Sequence, residues 1–224
     1  MESTLHRQLK ELYADDPDQR EVTVDGFRID AVRGRELVEI QLASLSAIRD
    51  KIRILLNDHP VLVVKPLAAS KVLVKRNRRG GRVVSSRRSP KKETVYDLFL
   101  EMVHFVGVFP HPGLTMHVLL TDQEEHRLPR KRRRWRSKDY RVEDRRLLGI
   151  RERYEFRTAS DLLALLPKTL AEPFSTADIA READIPRWLA QKMAYCLRKT
   201  SAVNVVGKIG NAVQYGFKRA VRAA

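Results

Sequence analysis

The chain has a single cysteine, Cys196, in 224 residues. One thiol closes no disulfide and builds no cysteine-rich zinc site, which excludes a disulfide-stapled framework and fits a reducing compartment. No apolar run approaches the ~20 residues that carry a helix across a bilayer. The opening MESTLHRQLKE is polar and helical rather than a secretory leader. These absences predict a soluble cytoplasmic protein with no membrane partner. Acidic residues are also in short supply: 28 Asp and Glu stand against 44 Lys and Arg, for a net charge of +16. A field of that sign draws in polyanions and fades as salt is added.

The hydrophobic share, 43%, is enough for a packed core, and the length suits one large domain or two small ones. Residues 3–14 place Leu5, Leu9 and Leu12 at helical spacing. Three short strands follow: EVTV, then FRIDAV after the tight-turn pair Asp25-Gly26, then ELVEIQ. A helix over 44–56, a buried strand at VLVV (61–64), a helix over 94–106 and a strand at LTMHVLL (114–120) complete a mixed α/β core. RERYEFR (151–157) reads as a last strand or a connector.

From about Ser160 the pattern changes. A short helix, a helix over TADIAREAD capped by Ser175 or Thr176, and a third helix from Pro186 precede two strands, VNVV and AVQYGF, joined through 207–211. Helix, helix, helix, hairpin is the order of a winged helix–turn–helix. Its third helix would turn Leu189, Ala190, Met193 and Leu197 inward, and Arg187, Gln191, Lys192 and Arg198 outward. Trp188 is expected in the core, and Lys208 and Asn211 at the tip of the wing. The expected division is therefore 1–157 and 158–224.

The positive charge is clustered. KRNRRGGRVVSSRRSPKK (75–92) contains no acid and few apolar residues, so it reads as a basic loop or as a hairpin turning at Gly80-Gly81. Arg78, Arg79 and Arg82 are candidate phosphate contacts there. RLPRKRRRWRSK (127–138) is a second cluster. Arg132, Arg133 and Arg134 would meet phosphate, and Trp135 could stack on an unpaired base. Gln191 and Arg187 can read base edges, whereas Lys192 and Lys208 contact phosphate. The expected partner is DNA, with RNA as the alternative, and the oligomeric state is open, a homodimer being one option.

Within this basic setting stands an acidic set. Asp30 closes FRID, and Glu39 and Gln41 alternate on ELVEIQ, so they share one face of their strand. If the two strands are neighbours, Asp30 and Glu39 approach each other. Two carboxylates and the carbonyl of Ile40 would make a hard oxygen site suited to Mg²⁺ or Mn²⁺. Glu2 lies on the helical side of Leu5 and Leu9, and His6 one turn further on.

Glu on a first helix, then Asp–x8–Glu–x–Gln, resembles the PD-(D/E)XK nuclease superfamily in a variant with Gln in the usual Lys place. More narrowly, Glu2, Ser3, His6 and Lys10, then Arg28 and Asp30, then Glu39, Gln41 and Ser44 are similar to the nuclease core of competence-protein CoiA-like sequences. The resemblance covers roughly the first third of the chain. It implies a restriction-endonuclease-like mixed sheet flanked by helices, with basic insertions near 75–92 and 127–138. It also implies a metal-dependent DNA endonuclease in which Asp30 and Glu39 ligate the metal, Gln41 positions the water or phosphate, and Glu2 and His6 support the site. This chain lacks the cysteines of the zinc ribbon that CoiA-like chains often bear. Gln41 also lacks a lysine's charge, so catalysis would lean more on the metal, on His6 and on Lys10 or Lys65. The competing expectation is a regulator or recruitment factor that binds DNA on a degenerate nuclease fold.

Overall fold

The computed structural model describes residues 2–14, 16–130 and 139–218. Arg132, Arg133, Arg134 and Trp135 therefore lie outside the described residues. The chain packs as two units, each discontinuous in sequence. One is Met1–Leu42 with Leu62–Val95 and His117–Tyr154; the other is Ala43–Val61 with Tyr96–Met116 and Glu155–Ala224.

The first unit opens with α1 (Thr4–Tyr13), capped by Ser3, whose hydroxyl accepts from the His6 amide. At 100° per residue, the buried arc of α1 runs from Leu5 and Leu9 through Tyr13 to Lys10. Leu12, expected on that stripe, falls off its edge and is 57% exposed. The helix is thus rotated towards its polar side, which brings His6 and Lys10 inward.

Strands β1 (Arg20–Val24), β2 (Phe27–Arg33) and β3 (Glu36–Ile40) form an antiparallel meander. Asp25 and Gly26 both take positive φ, 50° and 77°, as a two-residue hairpin turn requires. Then come β4 (Val61–Arg76), β5 (Val83–Arg88), β6 (Leu114–Pro129) and β7 (Tyr140–Phe156). The sheet order is β1-β2-β3-β4-β6-β7, with β5 paired to β4 alone. The chain is thus mixed α/β, a large sheet flanked by helices, as the order of elements predicts. Strands β4, β6 and β7 run 16, 16 and 17 residues, well beyond the short apolar runs at 61–64, 114–120 and 151–157. The stretch at 75–92 adopts the hairpin option: β4 and β5 pair across it, Gly80 supplies a φ of +64°, and Arg76 Nη1 donates to the Gly81 carbonyl.

Leu5, Leu9 and Tyr13 pack on Ala31, Val38 and Ile40 of β2 and β3, on Leu62 and Val64 of β4, and on Leu119 of β6. The same helix also bonds the last strand. Gln8 exchanges two hydrogen bonds with the Leu147 backbone, and Asp144 accepts from the Thr4 amide and hydroxyl. A helix that packs on β2, β3, β4 and β6 and also bonds β7 spans most of the width of the sheet.

The second unit contains α2 (Arg49–Leu55), α3 (Leu98–Met102), α4 (Ala159–Leu163), α5 (Thr176–Glu182) and α6 (Arg187–Lys199). Strands β8 (Val203–Ile209) and β9 (Ala212–Phe217) close it as a two-stranded hairpin. Where one helix was expected over 94–106, a 3-10 turn at Val95–Asp97 leads into the five-residue α3. Capping boxes start α4, between Thr158 and Asp161, and α5, between Ser175 and Asp178. Leu189, Ala190, Met193 and Leu197 of α6 are buried, as their spacing predicts. Trp188 is not in the core as expected: it is 51% exposed. Gly207 and Lys208 belong to β8 rather than to the connecting turn, which Gly210 and Asn211 make.

No helix among the described residues is long and apolar enough to cross a membrane.

Candidate functional site

The N-terminal polar residues converge where α1 meets β2 and β3. His6 bridges two acids: Nδ1 lies 2.7 Å from Glu2 Oε1, and Nε2 lies 3.2 Å from Asp30 Oδ2. Nε2 is also 3.1 Å from the Ile40 carbonyl oxygen. Every neighbour named here is an acceptor, so the ring is best satisfied with a proton on each nitrogen. Burial works against that charge, but the hydrogen bond and the negative charge of Asp30, joined by Glu2, raise the imidazole pKa above its usual value. Asp30 is itself held in place, because its Oδ2 accepts from the Ile40 amide at 2.8 Å. That bond closes the gap where β3 leaves β2, just beyond the Ala31–Val38 pair.

A second chain of charges braces Glu2. Lys10, nearly buried, places Nζ 2.6 Å from both Glu2 Oε1 and Glu21 Oε1. Burial disfavours its charge, but the two carboxylates outweigh this and raise its pKa. Glu21 also pairs with Arg28. The Lys10 and Arg28 hydrogen bonds hold the Glu21 carboxyl down at about 2. Glu21 is the member of the cluster that sequence reasoning missed. It sits at a φ of +56°, unusual for a residue with a side chain, and the pattern of EVTV carries no signal of that turn.

Of the remaining predicted residues, Glu39 is buried on β3, two residues after Leu37, which pairs with Val32. Gln41 follows the end of β3 and is half-buried, and its amide donates to the Val64 carbonyl at 2.9 Å. That bond sets Gln41 beside β4, where Lys65, the next residue, is buried. The structure thus brings Glu2, His6, Asp30 and the Ile40 carbonyl into direct contact. It adds Lys10, Glu21 and Arg28, and it sets Glu39 on β3 and Gln41 just past the end of that strand. The hard donors that share one point are Asp30 Oδ2 and the Ile40 oxygen, both within 3.2 Å of the same His6 nitrogen. Among the described residues no group of three or more His, Cys, Asp or Glu side chains is placed to hold a metal ion. The His6 Nε2 proton fills the point that Asp30 Oδ2 and the Ile40 oxygen share, so a cation held by these two oxygens would have to displace the imidazole.

Beside Glu2 opens a cleft of about 550 Å³ lined by Arg7, Arg76, Arg79 and Arg146 together with His126 and the acids Glu143 and Asp144. It leads from the acidic cluster to the basic hairpin, in which every residue of β5 is exposed. Arg78, Arg79 and Arg82 are exposed at the turn. In the second unit, Arg187, Gln191 and Arg198 face outward on α6, and Lys208 is exposed on β8.

Fold and site together define a mixed α/β protein with a polar cluster at the junction of its first helix and its second and third strands. The chain belongs to the family described as Domain of unknown function (DUF8091), whose family model matches residues 3–157. It is also similar to an uncharacterized protein of Treponema pallidum (strain Nichols), 28% identical over 181 residues, which cover 80% of this chain and 72% of that protein. No solved structure matches the chain.

Proposed function

We propose that this chain is a metal-dependent endonuclease that hydrolyses phosphodiester bonds in DNA in the cytoplasm. In this reading the first unit is a restriction-endonuclease-like core of the PD-(D/E)XK kind. Helices α5 and α6 with the β8–β9 hairpin are a winged helix that holds the duplex. The observation that carries the reading is the meeting of Glu2, His6, Asp30 and the Ile40 carbonyl beside a cleft lined by arginines.

Asp30, Glu39 and the Ile40 carbonyl would hold Mg²⁺ or Mn²⁺, which polarises the phosphodiester and acidifies a bound water when present. The chain's own residues set the stage. The Ile40 amide orients Asp30, His6 and Lys10 orient Glu2, and Glu21 fixes Lys10. Gln41 supplies an amide rather than an ammonium group, so it can orient a water or a phosphate oxygen but adds no positive charge. Arginines of the cleft neutralise the strand being cut.

The test is cleavage of single- and double-stranded DNA and of RNA with Mg²⁺ and with Mn²⁺. Wild-type chain should cut DNA, and Asp30→Ala and Glu39→Ala should reduce cutting to background while oligonucleotide binding persists. A wild-type chain that cuts no nucleic acid with either metal overturns the reading.

A second reading, a non-catalytic DNA-binding regulator or recruitment factor, is favoured by the lack of a three-residue metal group among the described residues. It expects DNA binding that is indifferent to Mn²⁺ and to Asp30→Ala.

A further inference from the structure

Helix α6 presents an outward stripe that its place in a groove-reading module does not explain. Trp188, Gln191, Lys192 and Tyr195 follow one another at i, i+3, i+4 and i+7, which places them on one face. Trp188 is 51% exposed and Tyr195 is 37% exposed. Together with Val103 and His104, at the end of α3, the four line an open groove of about 600 Å³. The opposite side of α6 is fully occupied: Leu189, Ala190, Met193 and Leu197 are buried. The two rings are therefore surplus to the core.

The charge around the rings selects the occupant. The sequence of α6, RWLAQKMAYCLRK, holds four cations and no acid. Lys192 lies between the two aromatic residues, and Lys199 sits over the Tyr195 ring at 6.0 Å. An exposed aromatic stripe flanked by lysines and free of acids offers a π-face for a base and a cation for the phosphate that follows it. A second copy of this chain, carrying the same excess of positive charge, would meet like charge there.

We infer that Trp188 and Tyr195 form a stacking site for unpaired nucleobases, with Lys192 and Lys199 on the linking phosphates. The site takes single-stranded nucleic acid or the frayed end of a duplex in preference to a closed duplex. Along α6 the two rings are ~10 Å apart by helical rise, so they engage separate bases of an extended strand. The inference deepens the nucleic-acid reading of this module and rests on it, but it does not depend on catalysis.

The chain has two tryptophans, Trp135 and Trp188, so Trp135→Phe leaves Trp188 as the sole tryptophan reporter. This variant is titrated, without metal, with oligo-dT and with a GC-clamped DNA hairpin of equal charge, whose strands are joined by a non-nucleosidic linker so that it offers no unpaired base, at the same salt. Oligo-dT should quench Trp188 fluorescence, and the hairpin should not. In the wild-type background, Trp188→Ala and Tyr195→Ala should each weaken oligo-dT binding at least roughly fivefold, with hairpin binding little changed. Circular dichroism checks that both variants stay folded, as exposed positions predict. Equal quenching by both ligands, no quenching by either, or unchanged oligo-dT affinity in both alanine variants overturns the inference. So does a fall in apparent mass of the free chain on Trp188→Ala, which would mark the stripe as a contact between copies. A chain that cuts DNA but leaves Trp188 unquenched sinks this inference and spares the nuclease reading. A chain that is quenched but never cuts does the reverse.

Discussion

Glu125 shows what a single residue contributes to this charged fold. Its buried carboxylate lies 2.7 Å from Arg127, 3.2 Å from Arg145 and 3.7 Å from Lys71. Burial pushes its pKa up, but the three cations outweigh that and hold it below the usual carboxylate range. Replacing it with glutamine strands three cations around a neutral amide, at an expected cost of roughly 3 kcal/mol. The sign with pH follows from linkage. A depressed carboxyl stabilises the fold above its unfolded pKa, near ~4.3, and loses that contribution as pH falls through the lower folded value. Urea unfolding should therefore show a gap between wild type and Glu125→Gln that is full at pH 7 and narrows below about pH 4. Residue types were legible here only where they repeat a pattern. Glu39 and Gln41 were found by alternation, Asp30 by its place at the end of the neighbouring strand, and His6 by helical spacing. Glu21 and Glu125 do their work partly through partners on other elements, Lys10 and Arg28 for the first and Arg145 and Lys71 for the second, which no local pattern encodes.

Among the elements, α1 carries the most consequence. Its buried arc faces the sheet, while Thr4 and Gln8 bond to β7. Asp144 accepts from the Thr4 amide, the Thr4 hydroxyl and the Arg145 amide. Asp144→Ala should cost ~1–2 kcal/mol by orphaning these donors. It should also raise hydrogen exchange at the first amides of α1 more than at β2. Because Glu2 and His6 flank that turn, any cleavage activity should fall in the same variant, although Asp144 touches none of the cluster. The element was legible as a helix, but its rotation was not. Leucine spacing alone points Leu12 inward, whereas the ion pairs of His6 and Lys10 turn the helix the other way. Strand β7 was legible only at its end, because YRVEDRRLLG carries charge on both faces and shows no clean alternation. Trp188 was expected in the core, and the groove beside α3 could be seen only once the helices were packed.

At the scale of the whole molecule, the net charge of +16 predicts nucleic-acid binding that weakens steeply with salt. Arg78→Ala and Arg82→Ala, at the exposed turn of the basic hairpin, should each lower the slope of log affinity against log salt by about 0.9, without regard to base sequence. An unchanged slope in the double variant would place the phosphate contacts elsewhere. The two packed units also constrain how the chain can be divided. The family match ends at residue 157, yet α2 and α3, which lie inside that span, belong to the unit that holds α6. A fragment of residues 1–157 would expose Phe99 and Met102, which are fully buried in the whole chain. It should therefore aggregate, or bind a hydrophobic dye, where the full chain does not.

The bonds from Thr4 to Asp144 and from Gln8 to Leu147 join the first helix to a strand made more than a hundred residues later. On the ribosome, every residue of the candidate cluster has emerged long before the strand that seats its helix. A nascent or truncated chain thus carries the chemistry without the geometry. In the proposed reading, competence to act arises only once β7 has been made, while α4, α5, α6 and the β8–β9 hairpin of the second unit still follow.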